Sequence, residues 1–380
     1  MTPQPSKAHR YPCPGCSADM QFDPATGGMK CPFCGKTQAV AADAATAAPV
    51  PATGRAALIA SHALDEFIGK SASPDLKPLS AQALEVNCAA CGSVVTFQPP
   101  EVAGACPFCG DTLVAQPKAA DPLVAPDAVL PASITKDKAQ TQVRQWLQTR
   151  WFAPGALKRL ARQEAISGVY LPFWDYDADT TTQYTGMRGQ HYYETETYET
   201  TDDDGNTRTE TRQVMRTAWY PAAGVVSRRF EDVLVPASKS VSESKLNALE
   251  PWGLEALKAY DPAYLAGFKA QRYQLELAAG FDKATVAMRP EIEHDIRRDI
   301  GGDEQNIESL NTDYFNAMFR HLLLPVWIGA YRFQSKVYQV AVNANTGEVQ
   351  GERPYSAAKI VMLVLAILAI IALIAIVSHK

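Results

Sequence analysis

Eight cysteines are the residues of this chain whose type and spacing point most directly to chemistry. They fall into two quartets with one shared pattern, Cys-x2-Cys-x14-Cys-x2-Cys. The first quartet is Cys13, Cys16, Cys31 and Cys34, and the second is Cys88, Cys91, Cys106 and Cys109. Four thiolates presented by two tight turns form a ligand set for a tetrahedral metal ion, most often structural zinc. The sequence therefore predicts two structural Zn²⁺ ions per chain.

The two quartets belong to two copies of one module. With an offset of 75 residues, Phe33 aligns with Phe108 and Gly35 with Gly110. A module with so few large apolar side chains cannot offset its own ordering entropy unless a metal holds it. We therefore predict one zinc ribbon at residues 9–37 and a second at residues 84–115.

Other roles for the cysteines make different demands on the chain. Disulfides suit a secreted protein, but residues 1–12 are polar and proline-bearing and lack the apolar core of a secretory signal. A rubredoxin-like iron site uses the same paired turns and stays open as an alternative. A catalytic zinc is disfavoured, because four thiolates leave no open position for water.

The C-terminal end of the chain carries a long apolar segment. No charged or polar side chain occurs from Ile360 to Val377. A helix of this length would cover roughly the 30 Å hydrocarbon core of a bilayer. The sequence thus predicts a single transmembrane helix at residues 357–377, acting as a tail anchor. Arg353 and Lys359 before the segment, with Lys380 after it, favour a cytoplasmic N-terminal body at an inner membrane.

The middle of the chain divides into a linker and a larger body. Residues 38–83 predict a linker with a short helix, and residues 127–355 are long enough for an α+β body. Residues 191–218 alternate polar groups on both faces around an Asp-Gly turn, which predicts a long hairpin. We interpret this hairpin either as a solvated excursion of a sheet or as an arm that pairs with a partner's edge strand.

The predicted fold is therefore multidomain. It comprises two small four-cysteine zinc ribbons, an α+β body with an antiparallel sheet and a protruding hairpin, and a single C-terminal transmembrane helix.

The sequence contains no recognisable set of catalytic residues. Two short Gly-Lys-Thr and Gly-Lys-Ser sequences lack the upstream glycine of a phosphate-binding loop. The run Asp175, Asp177 and Asp179 lacks the glycine and glutamate of an EF-hand loop and is interpreted as a solvated strand face. Six histidines are scattered without a triad or ligand spacing. The sequence therefore predicts a protein that is not an enzyme.

Several short sequences outside the ribbons carry a resemblance to a known family. They are Tyr170–Trp174, Arg188–Gly189, Tyr192–Tyr193, Asp299–Asp303, Leu323–Trp327 and Gly351–Ser356. With the cysteines they resemble a bacterial family of tail-anchored tandem zinc-ribbon membrane proteins, over nearly the whole chain. Members are often labelled primosomal-protein-N′-like helicases or TFIIB-type zinc-ribbon proteins. Some similar proteins are linked to flotillin-like and phage-shock PspA-like membrane-stress proteins, and the resemblance implies a recruiting role.

The helicase label requires a basic surface for nucleic acid. The formal net charge is −5, and neither ribbon carries a basic stripe. Our hypothesis is a membrane-anchored adaptor or scaffold whose two tethered ribbons recruit cytoplasmic or membrane-associated protein partners. Two weak ribbon contacts on one chain would bind a partner more tightly than either contact alone, through avidity. The exposed candidates for these contacts are Pro32–Phe33 and Pro107–Phe108, although at least one residue of each pair is expected to pack within its own ribbon. A nucleic-acid-associated protein and a rubredoxin-like redox carrier are the alternatives.

Overall fold

The computed structural model of the chain describes nine ranges of residues. They are 11–40, 59–68, 84–97, 103–114, 124–150, 166–201, 207–333, 336–352 and 356–378. The first ribbon contains three short antiparallel strands in the order β1-β2-β3. These are β1 (Gln21–Asp23), β2 (Gly28–Lys30) and β3 (Thr37–Gln38).

The second ribbon is preceded by a short element and is built from two hairpins. The preceding segment forms β4 (His62–Ala63) and α1 (Leu64–Phe67). The ribbon then contributes β5 (Leu84–Asn87), β6 (Val94–Phe97), β7 (Ala103–Ala105) and β8 (Thr112–Val114). Strands β5 and β6 pair antiparallel, and so do β7 and β8.

The rest of the described chain forms a sheet-rich body with four further helices. Its strands are β9 (Ala128–Val129), β10 (Ser167–Thr201), β11 (Thr207–Pro236), β12 (Lys258–Ala259), β13 (Lys269–Ala270), β14 (Glu304–Phe333), β15 (Lys336–Asn343) and β16 (Val349–Gly351). Its helices are α2 (Lys136–Gln148), α3 (Glu243–Asn247), α4 (Leu277–Ile300) and α5 (Ala357–Ser378).

Three long strands form the centre of the body. Strand β10 lies between β11 and β14 and pairs antiparallel with both. The pairing with β14 ends where Gly189 lies opposite Glu304, whereas the pairing with β11 continues to Thr201 opposite Thr207. Residues 190–201 and 207–218 therefore continue as a two-stranded ribbon, which we call the arm. The arm occupies the place where the sequence predicts a hairpin.

Helix α4 covers the long strands because one stripe of its surface is small or apolar. The stripe repeats every four residues, as expected for a helix face turned to a core, and consists of Gly280, Ala284, Met288, Ile292, Ile296 and Ile300. The absence of a side chain at Gly280 matters, since a Cβ there would lie 2.4 Å from the hydroxyl oxygen of Tyr176. That hydroxyl donates a hydrogen bond to the carbonyl of Leu277 at 2.7 Å. The helix is thus fixed closely against β10.

Both ribbons pack against the body, although the sequence predicts tethered ribbons. Strand β6 pairs with β13 of the body, so that β5 and β6 extend one 11-stranded sheet. In the first ribbon the amide of Phe22 donates to the carbonyl of Ala266 at 2.9 Å. The Phe22 ring also meets Tyr264 edge-on, with ring centroids 5.4 Å apart. Backbone pairing and aromatic packing therefore hold the ribbons in place.

The predicted fold class is wrong in its transmembrane component. Within the described residues, no helix combines the length and the apolar character needed to cross a bilayer. The predictions of a tail anchor, of lipid contact through it and of a single-pass inner-membrane location rested on that span. These predictions are therefore wrong together with the predicted transmembrane helix.

Candidate metal centres

The first cysteine quartet forms one compact cluster. Within it, the four sulfur atoms all lie within 4.8 Å of one another. The Sγ atoms of Cys13 and Cys34 are 3.4 Å apart, those of Cys16 and Cys31 are 3.4 Å apart, and those of Cys16 and Cys34 are 3.6 Å apart. An ion bonded tetrahedrally to four sulfurs at about 2.3 Å separates them by about 3.8 Å. The cluster therefore fits one metal ion.

The second quartet repeats this geometry. The Sγ atoms of Cys88 and Cys109 are 3.4 Å apart, and those of Cys91 and Cys106 are 3.8 Å apart. The four sulfur atoms of this cluster also lie within 4.8 Å of one another. The structure thus brings together all eight cysteines singled out in the sequence, as two four-cysteine clusters that could each hold a metal ion.

The four Cys-x2-Cys turns share one backbone structure. In each, the carbonyl of the first cysteine accepts the N–H of the residue after the second cysteine, at 2.8 to 3.0 Å. The N–H of the first cysteine donates to the carbonyl of the second residue after the second cysteine, at 2.7 to 2.9 Å. The residue after the second cysteine has a positive φ in every turn: 60° at Ser17, 72° at Gly35, 72° at Gly92 and 78° at Gly110. Glycine adopts this conformation without strain, and Ser17 is the exception.

Backbone amides in these turns stabilise thiolates. The amide nitrogen of Gly15 lies 3.4 Å from Sγ of Cys13 and lowers the pKa of that thiol. The amide of Cys34 is the main cause that lowers the pKa of Cys31 to about 6. In the second ribbon, burial raises the pKa of Cys109 to about 11, because burial disfavours the charged thiolate, and hydrogen bonds with Cys88 and Cys91 raise it further. A divalent cation would favour the thiolate form of all four sulfurs.

The two modules differ at the residue that follows the proline of their second turn. Phe33 is 81% exposed, whereas Phe108 is 1% exposed and packs among body residues such as Leu130 and Trp252. The carbonyl of Phe108 also accepts a hydrogen bond from Nε2 of Gln339 at 2.8 Å. The sequence names both phenylalanines as candidates for an exposed contact, and the structure exposes only Phe33.

A second constellation lies on the body, and the sequence predicts it only in part. Asp175, Asp177 and Asp232 bring their carboxylates within 4.8 Å of one another. Nη2 of Arg320 lies 2.7 Å from Asp175, 3.5 Å from Asp177 and 2.8 Å from Asp232. Asp175 is only 1% exposed, so the expected solvated face does not include it. The sequence gives no sign of Arg320, because strand pairing alone brings it to this position.

Burial dominates the electrostatics of this cluster. It raises the pKa of Asp175 to about 7, against the opposing effect of the Arg320 guanidinium. The nearby carboxylates of Asp232 and Asp177 raise this pKa further, whereas the hydrogen bond from Arg320, with Nη2 and Oδ2 2.7 Å apart, lowers it. Because the guanidinium already faces all three carboxylates, the cluster is an internal ion network.

Comparisons with known proteins give one relative and no named family. No family model matches the chain, and no solved structure matches it. The chain is similar to the uncharacterized protein YdjG of Bacillus subtilis (strain 168), with 26% identity over 352 residues. The alignment covers 92% of this chain and 91% of YdjG. The similarity therefore extends over most of the length of both chains.

Proposed function

We propose that this chain is a non-enzymatic zinc-ribbon adaptor that captures a protein partner through the first ribbon. The observation that carries the proposal is the 81% exposure of Phe33. It projects from the turn that joins Cys31 to Cys34, two members of the first cysteine cluster. An exposed aromatic side chain on a rigid support is a typical centre of a protein–protein contact.

The proposal assigns structural zinc to both clusters. Four thiolates complete the tetrahedral coordination of zinc, so no position remains for a water or a substrate. Folding driven by such a site releases roughly 10 to 16 kcal/mol in small peptides near neutral pH. The ion would therefore act by shaping the turns that carry Phe33 and Phe108.

The second ribbon shows how the phenylalanine of this turn can bind an apolar socket. Its equivalent residue, Phe108, enters an apolar socket of the body and is 1% exposed. The same turn of the first ribbon presents the same side chain with no such socket around it in the described structure. We therefore assign the second ribbon to intramolecular docking and the first to a partner that offers an apolar socket of similar size.

Rigid presentation favours binding because less freedom is lost on association. The first ribbon is held by the Phe22 contacts with Ala266 and Tyr264. Its Phe33 therefore needs little further ordering. The flotillin-like and PspA-like proteins suggested by the family resemblance are the first partners to test.

The experiment uses the purified full chain and purified PspA-like and flotillin-like proteins in biolayer interferometry. We expect binding of at least one of them, weakened at least tenfold by Phe33→Ala. Phe315→Ala is the matched control, because Phe315 is an exposed phenylalanine of the body (45% exposed). Metal analysis of the same preparation should give two zinc ions per chain.

Three results would overturn the proposal. Binding that is equal for the wild type and Phe33→Ala would remove the first ribbon as the contact site. Binding of a DNA duplex in place of the protein partners would favour the nucleic-acid alternative. A red protein with iron and a visible absorption band would favour the redox carrier.

A further inference from the structure

The arm has two open edges in the described structure. Residues 190–201 of β10 pair with residues 207–218 of β11, and no other described strand pairs with either segment. Two-stranded ribbons are marginally stable alone. Open edges also present unpaired backbone groups to any other extended chain.

The hydrogen bonds at the base of the arm identify the outward-facing groups. The carbonyl of Gly189 accepts the amide of Asp303 at 2.9 Å, and the amide of His191 donates to Oδ2 of Asp303 at 2.7 Å. The backbone N–H and C=O groups of residues 189 and 191 therefore point away from β11. Since direction alternates along a strand, the N–H and C=O groups of Tyr193, Thr195 and Thr197 point to the open edge of β10.

The register assigns the open edge of β11 in the same way. Tyr193 lies opposite Met215, and Thr195 lies opposite Gln213. In an antiparallel pair, the backbone N–H and C=O groups of two directly opposite residues either both face the partner strand or both face away from it. The backbone groups of Gln213 and Met215 therefore face the outer edge of β11.

The two open edges carry opposite charge. Residues 190–201 contain three glutamates and neither lysine nor arginine, which gives −3. Residues 207–218 contain three arginines and one glutamate, which gives 3 − 1 = +2. Within one arm, Arg212 pairs with Glu196 at 3.1 Å, and Arg216 pairs with Glu194. These pairs are partly exposed, so they stabilise the arm by only about 0.2 to 1 kcal/mol each.

The arm carries charged side chains, but it lacks two other features that protect an edge strand, proline and lysine. Neither segment contains proline, lysine or glycine. Threonine and tyrosine, which favour strands, are frequent in both segments taken together. Tyr193 and Met215 are also 68% and 53% exposed. These features fit a strand that pairs with another strand.

We propose that the arm joins copies of this chain edge to edge, with β10 of one copy beside β11 of the next. Contact between two β10 edges would place glutamates beside glutamates, and contact between two β11 edges would place arginines beside arginines. The β10–β11 contact places glutamates beside arginines. Because it uses two different surfaces, it is head-to-tail and extends to a ring or a filament.

Sedimentation velocity of the full chain tests this proposal across protein concentration and salt. We expect species larger than the monomer at about 50 mM NaCl, and fewer of them at about 500 mM, since salt screens exposed charges. The double variants Glu194→Arg/Glu196→Arg and Arg212→Glu/Arg216→Glu should each associate at least tenfold more weakly. An equimolar mixture of the two should associate again, because their edges are complementary.

A backbone variant tests strand pairing separately from charge. Thr197→Pro removes an N–H that points to the open edge and leaves the N–H groups that pair with β11, so it should abolish association. Thr197→Val is the matched control, because it keeps the N–H and the β-branched shape. Circular dichroism and zinc content check that each variant is folded.

The proposal is overturned by a monomer at all concentrations, by association that Thr197→Pro leaves intact, or by a charge-variant mixture that stays apart. Phe33→Ala should associate as the wild type does. Failure of the Phe33 contact and failure of the arm contact are therefore distinguishable.

Discussion

Asp175 and Arg320 lie directly opposite each other on β10 and β14, and Nη2 of the arginine is 2.7 Å from Oδ2 of the aspartate. The two side chains are 0% and 9% exposed. Because opposite residues of antiparallel strands share one face of the sheet, the guanidinium and the carboxylate are both directed into the body. Asp177 and Asp232 complete the group from neighbouring positions.

Removing the guanidinium should destabilise the fold strongly. Arg320→Met would leave the buried Asp175 without its cation, and breaking a buried pair in this way costs about 3 to 5 kcal/mol. Arg229→Met is the control, because the Arg229–Glu231 pair is 69% and 65% exposed. We expect the control to change stability by less than about 0.5 kcal/mol. Urea unfolding measures both, and equal losses would contradict the assigned role of Arg320.

Stability should depend on pH through Asp175. Burial raises its pKa to about 7, whereas the unfolded chain loses this proton near pH 4. Between these values the folded state binds more protons, so stability falls as pH rises and becomes constant above about pH 7. The contribution of one group is at most about 1.4 kcal/mol per pH unit.

The measurement is urea unfolding from pH 5.5 to 8.5 with excess zinc, for the wild type and Asp175→Asn. Asparagine cannot titrate, so the decrease below pH 7 should be smaller in the variant. Asp313→Asn, which removes an exposed carboxylate from β14, should retain the wild-type profile. Identical profiles for the wild type and Asp175→Asn would rule out this titration.

The four Cys-x2-Cys turns predict a reciprocal pair of substitutions. Ser17 has a φ of 60°, which costs a residue with a Cβ about 1 kcal/mol. We expect Ser17→Gly to stabilise the first ribbon by about 0.5 to 1 kcal/mol. Gly92→Ser should destabilise the second ribbon by a similar amount through backbone strain, since a Cβ at Gly92 would meet no atom within 4 Å.

Zinc transfer to a chromophoric chelator would measure both effects. Ser17→Gly should slow release from the first ribbon, and Gly92→Ser should accelerate release from the second. Faster release after Ser17→Gly would show that the serine side chain stabilises its turn in another way.

The two equivalent phenylalanines should respond differently to truncation. Phe108→Ala would create a cavity between the second ribbon and the body, which costs about 3 to 5 kcal/mol for a buried phenylalanine. Phe33→Ala should change stability by less than about 0.5 kcal/mol, since its side chain is 81% exposed. Thermal unfolding compares the two. A large loss for Phe33→Ala would show that this residue is needed within its own ribbon.

The two cysteine clusters could be predicted from the sequence alone. Their ligands lie in short turns, where local spacing and the positive φ of Gly35, Gly92 and Gly110 fix the sulfur positions. The hairpin at residues 191–218 is also predicted locally, because strand alternation and an Asp-Gly pair in the sequence indicate it without reference to the rest of the chain.

Tertiary structure decided the remainder. Phe33 and Phe108 have equivalent local sequences, and only packing against the body makes one exposed and the other buried. Asp175 and Arg320 meet because a register between distant strands places them opposite each other. The transmembrane prediction made from the apolar C-terminal segment was wrong, since no described helix is long and apolar enough to cross a bilayer. Burial and long-range pairing depend on which surfaces meet, and the local pattern of residue types does not reveal those contacts.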